Sequence, residues 1–172
     1  MSQQQVMISH LVQDNSTLLT QLKHLLASLS DANYRSPFEQ LQSGGIGAHA
    51  RHIFDHYDAL FRHTPTVNCD ARERDERLEL ERDIALEKIE HLIIELGALK
   101  EDRNLEVIST TNTLRQPAPC LSSIARELNF LHSHTTHHMA IIRLLCLHLS
   151  LDIDSNFGKA MSTQKFEQDV QS

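Results

Sequence analysis

Histidine is the residue type in this chain that stands ready for chemistry. There are twelve in 172 residues, and two short windows hold His49, His52, His56 and His63, and His132, His134, His137 and His138. Neutral imidazole is a nitrogen ligand for zinc and nickel and a proton carrier near neutral pH. Residues four apart lie about 40° apart around a helix and one turn along it, so His134 and His138 project together. His49, His52 and His56 share one face in the same way. Two imidazoles from one helix and one from another, with a fourth position left open, form the donor set of a catalytic rather than a structural zinc site.

The spacing also has blander readings. A single His-x-x-x-His pair is common on helices, where its members are solvated or packed against other polar groups. The "HTTHH" stretch (134–138) has Thr135, Thr136 and His137 between the pair, so the glutamate of an HExxH metalloprotease is missing. A di-iron carboxylate bundle needs paired Glu-x-x-His motifs, which the sequence does not supply. His137 points about 100° away from His138 and is expected as a neighbour rather than a ligand. His63 and His132 are expected at the surface or near helix ends. His10, His24, His91 and His148 occur singly and receive no role. From spacing alone, a shared metal site and polar packing both stay open.

The elements that must carry these windows are helices. Leu11, Leu18, Leu22, Leu25 and Leu29 recur at helical spacing, which predicts a first helix over Gln3 to Ser30. Asp31 to Gly45, with Ser36-Pro37 and Gly44-Gly45, reads as a connection holding a short helical turn around Phe38 to Leu41. A second helix is predicted from Ile46 to His63, with Ile46, Ala50, Ile53, Tyr57 and Leu60 as its stripe and Thr64-Pro65 as its stop. Residues 64–74 read as a loop. A third helix is predicted from Asp75 to Lys100, faced by Leu78, Ala85, Ile89, Leu92, Leu96 and Leu99. Residues 101–119, β-branched and with two prolines, read as a long loop with a short extended hairpin. The fourth helix is predicted from an N-cap at Ser122 to Leu151, and 152–172 as an irregular tail that packs back through Phe157. The expected fold class is all-α, a four-helix bundle with long connecting loops, in one domain over 1–172.

Composition narrows the function classes. The net charge is −7 and the arginines are interleaved with acids, as in "ARERDERLELERD" (71–83). That argues against nucleic-acid binding, which needs clustered cations, and reads as a solvated helix face. Cys69, Cys120 and Cys146 form no CxxC pair, so neither a disulfide scaffold nor a zinc ribbon is expected. The start "MSQQQVM" lacks a signal-peptide layout, and no apolar run is long enough to cross a bilayer. A soluble, cytoplasmic protein without membrane contact is the expectation.

The two histidine stretches together, "GGIGAHARHIFDHYDALF" and, far downstream, "RELNFLHSHTTHHMAIIRLL", resemble the DinB/YfiT-like family of four-helix proteins. The family pattern places one histidine on the second helix and a His-x-x-x-His pair on the fourth. "RHIFDHY" supplies His52 and "HTTHH" supplies His134 and His138; the tail "FGKAMSTQKF" is similar to endings in one branch. The resemblance implies an up-down-down-up bundle, often dimeric, with a divalent metal held by three histidines. Relatives include thiol-dependent S-transferases and a mycothiol-dependent isomerase, so it also implies a small-molecule substrate and a low-molecular-weight thiol as partners. Two departures stand out. His49 and His56 compete with His52, leaving a one-turn shift open. "HHMAII" replaces the arginine-glycine-glutamine run that follows the last histidine in many relatives.

The functional expectation is a metal-dependent enzyme. His52, His134 and His138 hold Zn²⁺ or Ni²⁺, and the metal activates a water or thiol for hydrolysis or S-transfer. Glu127 is the candidate to orient a ligand imidazole or act as general base. His49, His56 and His137 are alternative ligands or supporting neighbours. Arg51 and Arg126 are candidates to meet an anionic substrate, although exposed arginines more often do nothing of the kind. The alternative reading is a non-catalytic helical protein that binds a small ligand or a protein partner, with any metal purely structural. A homodimer is expected in either case.

Overall fold

The computed structural model describes residues 2–38, 44–62, 65–71, 73–110 and 117–171. Its elements, in chain order, are α1 (Gln3–Ser28), α2 (Asp31–Arg35), α3 (Ile46–Phe61), β1 (Thr66–Asn68), α4 (Arg77–Leu80), α5 (Arg82–Ala98), β2 (Asn104–Thr110), β3 (Pro117–Ser123), α6 (Ile124–His148) and α7 (Met161–Gln171). The chain is mostly helical, as its apolar periodicity predicts. It also carries a three-stranded sheet that an all-α assignment leaves out.

Four long helices surround one core. α1 packs on α5 and α6, and α3 packs on the same two, so α1 and α3 stand across a diagonal. Side-chain contacts give their directions. Lys23 of α1 pairs with Glu90 of α5 at 2.7 Å, and Ile8 and Val12 lie beside Leu99, so α1 and α5 are antiparallel. Met7 and Leu11 flank Ala125 and Phe130, while Leu25 and Ser28 flank Asp152 to Phe157, so α1 and α6 are parallel. His49 meets His138 and His56 meets His134, so α3 and α6 are antiparallel. The long helices therefore run up, down, down, up.

Each helix forms for a local reason. Ser2 opens α1 with a reciprocal capping box to Gln5. Ser123, not Ser122, caps α6 by accepting from the Arg126 N–H, and Asp102 reaches across to accept from the Ala125 N–H. The buried faces are leucine-rich, including Leu19, Leu22, Leu26, Leu92 and Leu96 with no exposed area, each contributing about 1.5–3 kcal/mol of apolar burial.

Several boundaries differ from the sequence reading. The helix expected over Asp75 to Lys100 is two, broken at Glu81, which is extended at φ −117° and ψ 96°. Leu78 and Ala85 are seven apart, two full turns, so the apolar stripe passes through the break unaltered. The connection after α1 holds a helix at Asp31–Arg35, ahead of the turn expected around Phe38 to Leu41; residues 39–41 of that turn lie outside the described residues. β1 occupies part of the loop expected over 64–74, and α6 ends at His148, short of Leu151. The tail keeps Phe157 buried as expected, yet continues into α7.

The sheet closes one end of the bundle. β1 runs parallel to β2, each following the C-terminus of one of the two parallel helices α3 and α5. β2 and β3 form the expected hairpin, with Val107 opposite Cys120. Pro117 and Pro119 are tolerated because β3 is an edge strand. Two glycines permit close approaches. A Cβ on Gly47 would come within 2.2 Å of the Glu79 carbonyl oxygen, so its absence lets α3 touch α4. Gly158 is left-handed at φ 71° and lies against the α6 backbone at Ala140.

Candidate metal centre

α3 and α6 bring five histidines together, all half-buried: His49, His52 and His56 from one helix, His134 and His138 from the other. Their rings form a continuous cluster. His56 lies 4.3 Å from His134 between centroids, His52 lies 4.4 Å from His138, and His134 lies 4.6 Å from His138. Among the described residues, the group whose ligand atoms all fall within 4.8 Å of one another is His52, His56 and His134.

Of the expected triad His52, His134 and His138, two members fall in this group, with His56, one turn along α3, as the third; the His138 ring lies 4.4 Å from that of His52 and 4.6 Å from that of His134. His138 is hydrogen-bonded through one of its two ring nitrogens. Its Nδ1 lies 3.1 Å from the Nδ1 of His49, so one ring donates and the other accepts. His49 Nε2 is buried with no hydrogen-bond partner. His137 is exposed and stands edge-on to His138 at 5.2 Å.

Burial keeps two of the five rings, His49 and His138, uncharged. Burial pushes the His138 imidazole down to about 3, and the neighbouring His134, His49 and His137 add to the shift. His49 is lowered as well, by burial first and by His137 second. Both are therefore neutral at pH 7, the form in which imidazole ligates a metal.

A buried polar chain fixes the register of the helices that present these rings. Asn15 of α1 donates through Nδ2 to the carbonyl of Leu128 in α6 at 3.1 Å and to Leu11 at 2.8 Å. Tyr57 of α3 donates to Asn15 Oδ1 at 2.7 Å, and Thr135 of α6 donates to the Tyr57 hydroxyl at 3.3 Å. All three side chains are fully buried, and burial raises the Tyr57 pKa, which keeps the hydroxyl a donor. Thr135 sits inside the "HTTHH" stretch, so the chain anchors α6 between the histidines themselves. Sequence reasoning passed over Asn15; its only signal was a polar residue on a leucine-rich stripe.

The other expected residues fall into different surroundings. Arg51 is engaged by two carboxylates, donating to Glu79 and to Asp55, the latter at 2.6 Å, so it ties α3 to α4. Glu127 is buried and accepts from Ser122 Oγ and from Arg126 Nη1. Those contacts place it at the start of α6, two turns before His134. Arg126 is exposed and lies over the Phe130 ring at 5.4 Å. Phe130, which sequence reasoning did not single out, stacks on His134 at 5.5 Å with 23° between the ring planes.

Comparison with known proteins adds one likeness. Over 101 residues, 56% of this chain, the sequence is 34% identical to FK506-binding protein 5 of Rhizopus delemar. The chain spans about a quarter, 26%, of that protein's length. No family model matches the chain, and no solved structure matches it.

The donor set suits a divalent ion. Three imidazoles from two helices, with no thiolate among them, are donors that zinc, nickel or iron could accept. Ligand nitrogens around a tetrahedral zinc stand about 3.3 Å apart, as follows from bonds of about 2.0–2.1 Å.

Proposed function

We propose that this chain is a divalent-metal-dependent enzyme of the DinB/YfiT-like kind, acting on a small molecule by thiol transfer or hydrolysis. The observation that carries the reading is the convergence of His52, His56 and His134 from two antiparallel helices, their ligand atoms within 4.8 Å of one another. The up-down-down-up course of the long helices and the placing of the histidines on the second and fourth of them support it.

His52, His56 and His134 would hold Zn²⁺ or Ni²⁺. When bound, the ion supplies Lewis acidity and lowers the pKa of a coordinated water or low-molecular-weight thiol. The chain's own groups do the rest. Tyr57, Asn15 and Thr135 hold the two ligand-bearing helices in register. Phe130 stacks on the His134 ring and limits how it can turn. His49 orients His138 beside His52, where a neutral imidazole can hydrogen-bond the substrate. Glu127 and Arg51, engaged elsewhere, are left out of the chemistry.

Metal content tests this directly. Tag-free protein incubated with zinc or nickel and desalted is expected to retain about one equivalent per chain by elemental analysis. His56→Ala and His134→Ala each lose it, whereas His138→Ala keeps it. Less than about a tenth of an equivalent in the unaltered protein would sink the proposal. Loss in His138→Ala with retention in His56→Ala would overturn the choice of His56. A loaded protein that turns over no thiol-transfer or ester substrate, yet is destabilised by chelation, would leave the metal structural.

A further inference from the structure

The groove between the start of α1 and the first turns of α6 borders the histidine cluster, and we infer that it is a substrate cleft taking a small amphipathic carboxylate, apolar in its body and anionic at one end. This rests on reading the cluster as a metal centre, because the cleft is assigned as the approach to it.

The groove encloses about 570 Å³, a volume within the range that small-molecule sites occupy. Its walls are mainly apolar: Met7 and Leu11 from α1, Ala125 and Phe130 from α6. Met7 and Phe130 stay 41% and 38% exposed, so large apolar surface is held open to water where an organic body would cover it. A flexible thioether facing an aromatic ring adapts to ligands of varied shape.

Two observations orient the occupant. Phe130 is shared between the groove and the cluster, since it lines the former and stacks on His134 of the latter. A molecule lying along Phe130 therefore ends beside a proposed metal ligand. The second observation is Arg126, the one charged side chain lining the groove among the described residues. Its guanidinium sits over the Phe130 ring and gives Nη1 to Glu127, leaving further N–H donors turned to solvent. The backbone donors at the start of α6 do not compete for an anion, because Ser123 and Asp102 already take the Arg126 and Ala125 N–H groups. Arg126 is already paired with Glu127 through Nη1, so it is the remaining N–H donors of its planar guanidinium, in an otherwise mainly apolar cleft, that suit a carboxylate end of the occupant.

The test uses tag-free protein with ¹³C-methyl methionine, and two probes: 3-phenylpropionate and its neutral analogue 3-phenylpropanol. The Met7 methyl signal is assigned by its absence in Met7→Leu. The acid is expected to shift that signal saturably and to bind about fivefold more tightly than the alcohol. Arg126→Gln removes the preference and leaves the alcohol's binding unchanged. Phe130→Ala weakens both probes, and Phe130→Leu stands in if the alanine variant fails to fold. No shift of Met7, or a shift confined to Met139 or Met161, overturns the cleft. Equal binding of acid and alcohol overturns the anionic end. Metal content measured on the same samples separates the two proposals. A chain that binds the acid but no metal refutes the metal centre alone, and one that binds metal but no probe refutes the cleft alone.

Discussion

At the scale of single residues, burial sets what each reactive group can do. His138 is a metal-binding residue type whose charge has been suppressed by its surroundings, and its Nδ1 is committed to His49. Cys146 shows the same physics with a thiol. It has no exposed area, and burial pushes its pKa up to about 11. The thiolate is the nucleophile, so a thiol whose pKa is raised stays protonated and inert at pH 8. Titration of the native protein with an aromatic disulfide reagent at pH 8 is therefore expected to leave Cys146 unmodified, while Cys120, which is exposed, reacts. Cys146 becomes reactive only in denaturant. Modification of Cys146 at the same rate in native and unfolded protein would contradict the packing described around α6.

At the scale of elements, the site depends on the register between α3 and α6. A shift of either helix by one residue would turn its histidines by about 100°. The Asn15–Tyr57–Thr135 chain opposes such a shift, because sliding would leave buried polar groups unpaired. Asn15→Ala removes the acceptor of the Tyr57 hydroxyl and the donor to Leu128. It is expected to cost about 1–3 kcal/mol, the penalty for orphaned buried polar groups, measured as a fall in the urea midpoint. A cost below a few tenths of a kcal/mol would show that the network does not hold the helices. Arg51 plays a comparable part between α3 and α4, where its pairing with Glu79 makes it a brace.

At the scale of the whole molecule, a metal held by α3 and α6 would cross-link two helices that lie next to each other in space but far apart in the chain. Ligand binding to the folded state alone stabilises it by mass action, about 2.7 kcal/mol at a hundredfold excess over Kd. For a chain of this length that is a rise in Tm of about 5–10 °C. Zinc or nickel is expected to produce such a rise, a chelator to reverse it, and His52→Ala to abolish it. A shift under about 1 °C with saturating metal would argue that the ion, if bound, does not bridge the helices.

Much of this protein was legible in its residues. Leucine periodicity located the four long helices, because one apolar face per helix is a local property of the chain. Two histidine windows announced a cluster for the same reason, since four-residue spacing dictates which side chains share a face. The β-branched residues of 101–119 predict a short hairpin there; the strands run further, to Ser123, with Pro117 and Pro119 inside the second of them. Other features left no local trace. The Glu81 break is hidden by a seven-residue spacing that suits a continuous helix equally well. The α7 helix carries Met161, Phe166 and Val170 exposed rather than in a buried stripe, so periodicity had nothing to detect. Which histidines converge was decided by tertiary structure alone. Spacing left His49, His52 and His56 equivalent, whereas the antiparallel packing of α3 on α6 sets His56 opposite His134 and pairs His49 with His138. A helix fixes the angles between its own side chains, but the depth at which it slides along its neighbour is fixed only by what both must bury.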